Sequence, residues 1–216
     1  MKKAPFIVID GMDGSGKTTQ FDLLVKYAKQ DGYNFCRTRE PGGTELSETI
    51  RTLFKSALGM NTSALTQFLM MWTARSDTLD KVVIPSIRNE IPVFDERSDI
   101  STFAYQVFAK MAPELEDEFW RIRKLVFGEY EPTMYIILDL PSEEAKRRVD
   151  ADKRRTALDL SDFDLAPLDF YERVRQGFHA FKDELPNHVI MVDGTRSPEV
   201  VHEEIYAMVC ELCGWQ

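Results

Sequence analysis

One eight-residue stretch constrains this chain more than any other: Gly11-Met12-Asp13-Gly14-Ser15-Gly16-Lys17-Thr18 satisfies the pattern G-x-x-x-x-G-K-[ST] at every fixed position. An apolar run, Phe6 to Ile9, precedes it. Behind it Phe21, Leu24, Val25 and Ala28 recur at helical spacing and are predicted to face the core. Each fixed residue has a physical task. Glycines let backbone N–H groups converge on phosphate oxygens without a Cβ in the way. Lys17 supplies a point charge, the Thr18 hydroxyl is a ligand for Mg²⁺, and the following helix aims its positive end at the anion. Strand, loop and helix together predict an α/β fold with a nucleoside triphosphate site formed by Gly11, Met12, Asp13, Gly14, Ser15, Gly16, Lys17, Thr18 and Thr19.

The rest of the sequence alternates strand-length apolar runs with longer helical patterns, as a parallel sheet covered by helices requires. Strands are expected at Asn34–Thr38, Ile91–Phe94, Met134–Leu140 and His188–Val192. Ser197 reads as a helix cap with Pro198 at the first position, followed by an apolar stripe of Val201, Ile205, Met208 and Leu212. The 216 residues fit one domain. With 27 basic and 36 acidic residues the net charge is −9, which argues against broad nucleic-acid binding. No apolar run is long enough for a membrane span, and Met1 to Ile9 reads as a basic start and a strand rather than a signal peptide. Three cysteines are too few for a disulfide framework, so a cytoplasmic setting is expected, and Cys210 and Cys213 read as a structural pair on a helix. Lys146–Asp164 is dense in charge; composition leaves a solvated helix end and a mobile cationic lid equally open.

A second set of polar groups resembles another anion site. No N-K-x-D segment of the guanine-selecting type is present. Arg39-Glu40-Pro41-Gly42-Gly43-Thr44 forces a turn at a strand end. Met71 and Arg75 share a helix face, so they can grip a nucleobase by a flat contact and a hydrogen bond. The same letters fit an amphipathic core helix with Arg75 snorkelling outward, which the pattern alone favours slightly. Asp95-Glu96-Arg97-Ser98-Asp99-Ile100-Ser101-Thr102 follows the third expected strand, where ligands of parallel sheets bind. Its carboxylates suit a Mg²⁺ shell, and Arg97 can fork onto a phosphate.

These ordered segments, Gly11–Thr19, Arg39–Thr44, the helix ending at Arg75, and Glu96-Arg97 with Asp99–Gln106, resemble thymidylate kinase, of the nucleoside monophosphate kinase group. Weaker similarity continues through Leu138–Leu140, Phe170–Arg175 and Val192–Val200. The resemblance implies a P-loop kinase fold: a parallel five-stranded sheet between helices, with a short mobile lid at roughly 150–166 and acceptor segments at roughly 39–75 and 95–106. It implies transfer of the ATP γ-phosphoryl group to dTMP with Mg²⁺, in a homodimer, with no nucleic-acid or membrane partner. Asp13 would hold the sugar 3′-hydroxyl and help the metal, alongside Thr18 and Glu96. Arg97 would bind the acceptor phosphate and Arg75 an exocyclic oxygen of thymine, with Arg39 on the same side. Ser101 and Thr102 would flank the base, Tyr105 would crowd the sugar C2′ position, and Pro41 would line the pocket. Lys17, Arg97 and the lid cations Lys153, Arg154 and Arg155 would carry catalysis, since Gly14 stands where some members have an arginine. Arg148 and Arg196 would contact the donor near the adenine segment Gly194–Pro198.

Two departures from the family pattern matter. Glu96 replaces the usual aspartate, so Asp95 is a second candidate for the metal. Met71 stands where an aromatic ring is expected to stack on thymine, which leaves dUMP or another deoxynucleotide open as acceptor. A deoxynucleoside kinase, which needs a base rather than Arg97, and a non-catalytic P-loop regulator are the remaining alternatives.

Overall fold

Alternation along the first strand sets the layers of the molecule, a computed structural model that describes residues 3–152, 163 and 166–216. In β1, Phe6–Gly11, every residue is buried, because the strand is covered on both faces. Ile7 and Ile9 pack with Phe21, Leu24 and Val25 of α1 (Lys17–Gln30) and with Val201, Ile205 and Val209 of α10 (Pro198–Cys213). Phe6 and Val8 point the other way, into a core shared with Phe68, Phe103, Phe119 and Phe178. Period-two side-chain alternation makes one strand serve two helical layers.

Four further strands, β2 (Cys36–Arg39), β3 (Val93–Glu96), β4 (Met134–Asp139) and β5 (Val189–Asp193), complete a sheet in the order β2-β3-β1-β4-β5. All pairs are parallel. Each expected strand is present, with boundaries shifted by one or two residues. The shift matters at β3: Asp95 and Glu96 lie on the strand, not after it. Their backbone registers opposite Val8 and Ile9 of β1 and opposite Thr38 and Arg39 of β2. The carboxyl ends of β1, β2 and β3 therefore meet at one crevice, where open parallel sheets place ligands.

Between β2 and β3 come α2 (Glu45–Lys55), α3 (Ala57–Met60), α4 (Ala64–Thr78) and, after a π-helical segment at Leu79–Val83, α5 (Ile84–Arg88). Beyond β3, α6 (Asp99–Thr102) runs into a second π-helical segment, Phe103–Ala109, and then α7 (Glu116–Phe127). α8 (Ser142–Ala151) and α9 (Leu168–Glu184) follow β4. Gly177 of α9 is required by close approach, since a Cβ there would sit 2.7 Å from Ala104 Cα. Ser197 caps α10 as expected, its hydroxyl accepting from the Val200 N–H. Cys210 and Cys213 are free thiols on that helix. No helix among the described residues is long and apolar enough to cross a membrane.

Candidate active site

The phosphate loop is fixed by sterics before any ligand arrives. Gly14 has φ +83°, and a Cβ there would lie 2.4 Å from the Ala145 carbonyl oxygen, so only glycine fits. The Lys17 ammonium is buried under the loop, donating to the Met12 carbonyl at 2.8 Å and lying 3.6 Å from Asp13 Oδ1. Burial and the neighbouring Arg97 cation lower its pKa to about 8, against the pull of Asp13 and Asp10. An arriving phosphate would add a closer anion than Asp13 to this cation. At the head of α1 the Thr18 hydroxyl donates to Glu96 Oε1 at 2.7 Å.

Opposite the loop, Arg97 sits with φ +72°, a left-handed conformation that a non-glycine residue seldom adopts. Its guanidinium pairs with Asp13, donates to Ser101 Oγ at 3.1 Å and lies 3.6 Å from the fully buried Asp10. Ser101 in turn donates to Asp10 Oδ2 at 2.7 Å. The Tyr105 hydroxyl donates to Asp13 Oδ2 at 3.0 Å and accepts from the Asp13 N–H at 3.2 Å. Asp13, Arg97, Ser101 and Tyr105 thus form one network tying the phosphate loop to the segment after β3.

Deeper still, Arg75 is 2 % exposed. Its Nε lies 2.6 Å from Glu40 Oε2, its Nη2 donates to the Thr102 hydroxyl at 3.1 Å, and its guanidinium carbon lies 4.4 Å from the Trp72 ring centre. The outward-snorkelling reading of Arg75 is corrected: the cation is drawn inward because Glu40, held at the end of β2, compensates its charge. Nη1 has no hydrogen-bond partner among the described residues. Burial pushes the Glu40 carboxyl up to about 7 against the pull of Arg75, and burial with the Glu40 charge raises Asp95 well above its ordinary value.

A single cavity of about 690 Å³ gathers these groups. Asp13, Gly14, Ser15, Gly16, Lys17, Thr18 and Thr19 line it on one side, and Pro41, Met71, Arg75, Glu96, Arg97, Ser101, Thr102 and Tyr105 on the other. Arg148 and Arg196 line it near Gly194. Sequence reasoning missed Gln20, Arg51, Phe54, Lys55, Arg147 and Phe163, which also contribute to its wall, and gave Glu40 of the Arg39–Thr44 turn no role there. Gln106 was within a recognised motif yet had no role assigned, and it too lines the cavity while being 3 % exposed.

Three expectations need correcting. Arg39 is not part of the wall: it is turned outward onto Glu48, both of whose oxygens lie 3.1 Å from its Nη2. Arg51 lines the cavity from α2, one turn further along, donating to the Pro41 carbonyl at 3.0 Å. Asp95 lies behind the wall, fully buried beside Glu40, so Glu96 is the carboxylate that meets Thr18. Gly11 and Met12 serve from behind as well, the Met12 side chain sitting in the core. Lys153, Arg154 and Arg155 lie outside the described residues, as does most of the proposed lid.

Comparison with known proteins bears directly on this geometry. The family model described as thymidylate kinase matches residues 9–205. The chain belongs to the thymidylate kinase family. It is 30% identical over 205 residues to a thymidylate kinase of Clostridium novyi, covering 95% of this chain and 98% of that one. A thymidylate kinase of Thermomicrobium roseum is 33% identical over 209 residues, covering 96% and 95%. The crystal structure of thymidylate kinase from Ehrlichia chaffeensis superposes with a TM-score of 0.74 at 27% identity, covering 96% of this chain and 99% of that one. As in a family whose members share the P-loop kinase fold, the five parallel strands lie between helical layers with the phosphate loop after β1.

The residues beside the loop also fit a magnesium ion. Thr18 Oγ1 and Glu96 Oε1 are hard oxygen donors 2.7 Å apart at the mouth of the loop. No cluster of three or more His, Cys, Asp or Glu ligands occurs among the described residues. Mg²⁺ asks for only one or two protein oxygens together with substrate phosphates, so this pair of oxygens is of the right chemistry to hold it.

Proposed function

We propose that this chain transfers the γ-phosphoryl group of ATP to dTMP, giving dTDP and ADP, and that one observation carries the reading: Lys17, Arg97 and Arg75 line the same cavity. Two cationic grips on one hollow suit two nucleotides meeting phosphate to phosphate. The donor triphosphate lies along Gly14–Thr19 with Lys17 beneath it. The acceptor phosphate takes Arg97 and Arg51. The base reaches Arg75, whose free Nη1 offers an N–H to a ring carbonyl, with Thr102 and Gln106 beside it and Met71 against its face. Tyr105, held on Asp13, stands at the acceptor sugar.

The acceptor is already an anion, so no strong general base is required. Catalysis then rests on in-line placement and on positive charge around the moving phosphoryl group. Lys17 and Arg97 hold that charge in a partly dehydrated cleft where it acts strongly. Thr18 and Glu96 would hold Mg²⁺, which when bound neutralises charge on the donor phosphates. Lys153, Arg154 and Arg155 are proposed to add cations on closure, and the chain is proposed to act as a cytoplasmic homodimer.

The deciding experiment is ADP production from ATP with dTMP, dUMP, other deoxynucleoside monophosphates and thymidine as acceptors. Turnover with dTMP, and its absence with thymidine, is the expected result. A purified chain that binds ATP yet phosphorylates no pyrimidine deoxynucleotide overturns the reading.

A further inference from the structure

Gln20 is the fourth residue of α1 and 3 % exposed, yet it lines the cavity. Its amide Nε2 donates to the Pro198 carbonyl at 2.9 Å. That carbonyl can only accept, so the amide orientation is fixed by chemistry: a flipped group would set two acceptors face to face. Its Oε1 has no hydrogen-bond partner among the described residues. A fastener serving stability alone gains nothing from an unpaired buried oxygen, which works against folding. In a cavity wall, by contrast, such an oxygen is available to a ligand or its water.

Pro198 ends the short loop from Gly194 that closes the donor side of the cavity. Thr195 and Arg196 bind the loop to Asp193 and Glu204 of its own flanking elements, β5 and α10, and two other ties reach further. The Gly194 N–H donates to the Asp139 carbonyl at 2.8 Å, and Arg148 Nη1 donates to the Gly194 carbonyl at 3.2 Å. Both act at the start of the loop and lead to β4 and α8. Gln20 is the tie at its end, and it alone of the three leads to the helix that carries Lys17 and Thr18. The phosphate-binding helix and the loop beside the donor nucleoside are thereby set at one spacing.

We infer that Gln20 is a positioning residue for the phosphoryl donor, fixing the Gly194–Pro198 loop against the phosphate loop so that nucleoside and phosphates are bound in one geometry. The inference rests on the reading of Lys17 and the phosphate loop as the donor site. Its consequence is one-sided. Among the described residues the side-chain hydrogen bond of Gln20 runs to the donor-side loop and not to the acceptor side, so its loss is expected to weaken the donor and spare the acceptor.

Gln20→Met keeps length and burial while removing both polar functions; Gln20→Glu keeps an acceptor and loses the donor to Pro198. In both, KM for ATP and the Kd of ADP on the free enzyme are expected to rise about fivefold, as loss of one neutral hydrogen bond implies. KM for dTMP and kcat should stay within about twofold, by the same reasoning of locality. Thermal unfolding midpoints measured alongside separate a folding defect from a positioning one. An unchanged KM for ATP overturns the inference. So does a loss shared equally by KM for ATP, KM for dTMP and kcat that tracks the fall in midpoint. Wild-type activity on dTMP is read in the same assays, so failure of the inference is distinct from failure of the kinase reading.

Discussion

Arg75 Nε lies 2.6 Å from Glu40 Oε2, joining a helix to a strand end across a buried wall of the active-site cavity. The pair leaves Nη1 of the same guanidinium unpartnered among the described residues. Arg75 is therefore both anchored and open. A lysine cannot reproduce this, because an ammonium lacks the planar fork that serves Glu40, Thr102 and a ligand together. Arg75→Lys is expected to raise KM for dTMP by at least about tenfold, the scale of a lost charge-assisted hydrogen bond, while KM for ATP stays level. Arg75→Ala strands the Glu40 carboxylate in the interior and is expected to cost about 3–5 kcal/mol of stability by urea unfolding. An alanine variant as stable as wild type would show that Glu40 is not charged against Arg75.

Among the described residues the carboxylate paired with the Lys17 ammonium is Asp13, whose Oδ1 lies 3.6 Å away, beyond ordinary hydrogen-bond distance. The ammonium is held in place by the Met12 carbonyl, ready for an anion. Lys17→Ala is expected to lower kcat by on the order of 10²–10³, the effect of removing a preorganised group that meets developing charge. The fold should survive, since the ammonium enters no apolar cluster. Steady-state kinetics with circular dichroism of the variant check both halves.

How much of this was legible beforehand divides along chemical lines. The phosphate loop could be read letter by letter because backbone geometry demands glycine at Gly14 and Gly16, and a strand and helix must flank it. The five strands were legible because β1 and β4 are buried on both faces and so run as unbroken apolar stretches. What escaped reading were side-chain directions. Arg39 and Arg51 are both arginines near the same turn, and nothing in the letters says that Glu48 turns one outward while the other lines the cavity. Asp95 and Glu96 likewise alternate across a strand, and their faces follow from the β1–β3 register, a long-range fact. The helix pattern by itself favours an outward-snorkelling Arg75, since a lone arginine on an apolar helix usually snorkels; only the family resemblance places it in the pocket, because its buried partner lies 35 residues away in sequence.

A buried network supports the acceptor segment from below. Arg123 Nε donates to Asp99 Oδ2 at 2.8 Å, and the Tyr135 hydroxyl donates to Asp99 Oδ1 at 2.8 Å. Asp99 opens α6, which carries Ser101 and Thr102. Tyr135→Phe is expected to cost about 1.5–3 kcal/mol, one hydrogen bond to a charged acceptor. Arg123→Ala should cost about 3–5 kcal/mol, because it leaves Asp99 charged and buried. Urea midpoints of the two variants should fall in that order; equal losses would show that Asp99 does not depend on the arginine.

His202 packs between Tyr27 and Tyr206, with ring centres 4.5 and 5.5 Å away, and neither of its ring nitrogens has a partner among the described residues. Burial lowers its pKa below 6.5, and Lys26 adds to that shift while Glu203 opposes it. The unfolded chain therefore binds a proton first on acidification. The stability from neutral His202 is fully present above pH 6.5 and is lost as pH falls from there toward the native pKa, at up to about 1.4 kcal/mol per pH unit. His202→Phe keeps the ring contacts and should flatten the acid limb of a thermal-midpoint profile below pH 6.5. An acid limb of unchanged slope would remove His202 from the account.

Met71 lines the cavity where the family pattern expects an aromatic ring, and around it lie Ile50, Ala74 and the half-buried Phe54 and Met70. This cluster is small and separate from the two main cores, so it can rearrange to admit a ring. Met71→Phe adds a flat face to the base side of the pocket, worth about 0.5–1.5 kcal/mol in ring pairs. KM for dTMP is then expected to fall several-fold, with KM for ATP unchanged. Stacking acts on the face of the pyrimidine and not on its 5-methyl group, so dUMP should gain by the same factor and the ratio of kcat/KM for dTMP over dUMP should hold. If that ratio rises instead, Met71 reads the methyl group. If KM for dTMP rises, the methionine is already well fitted to the base, its flexible thioether filling the space that a rigid ring would overfill.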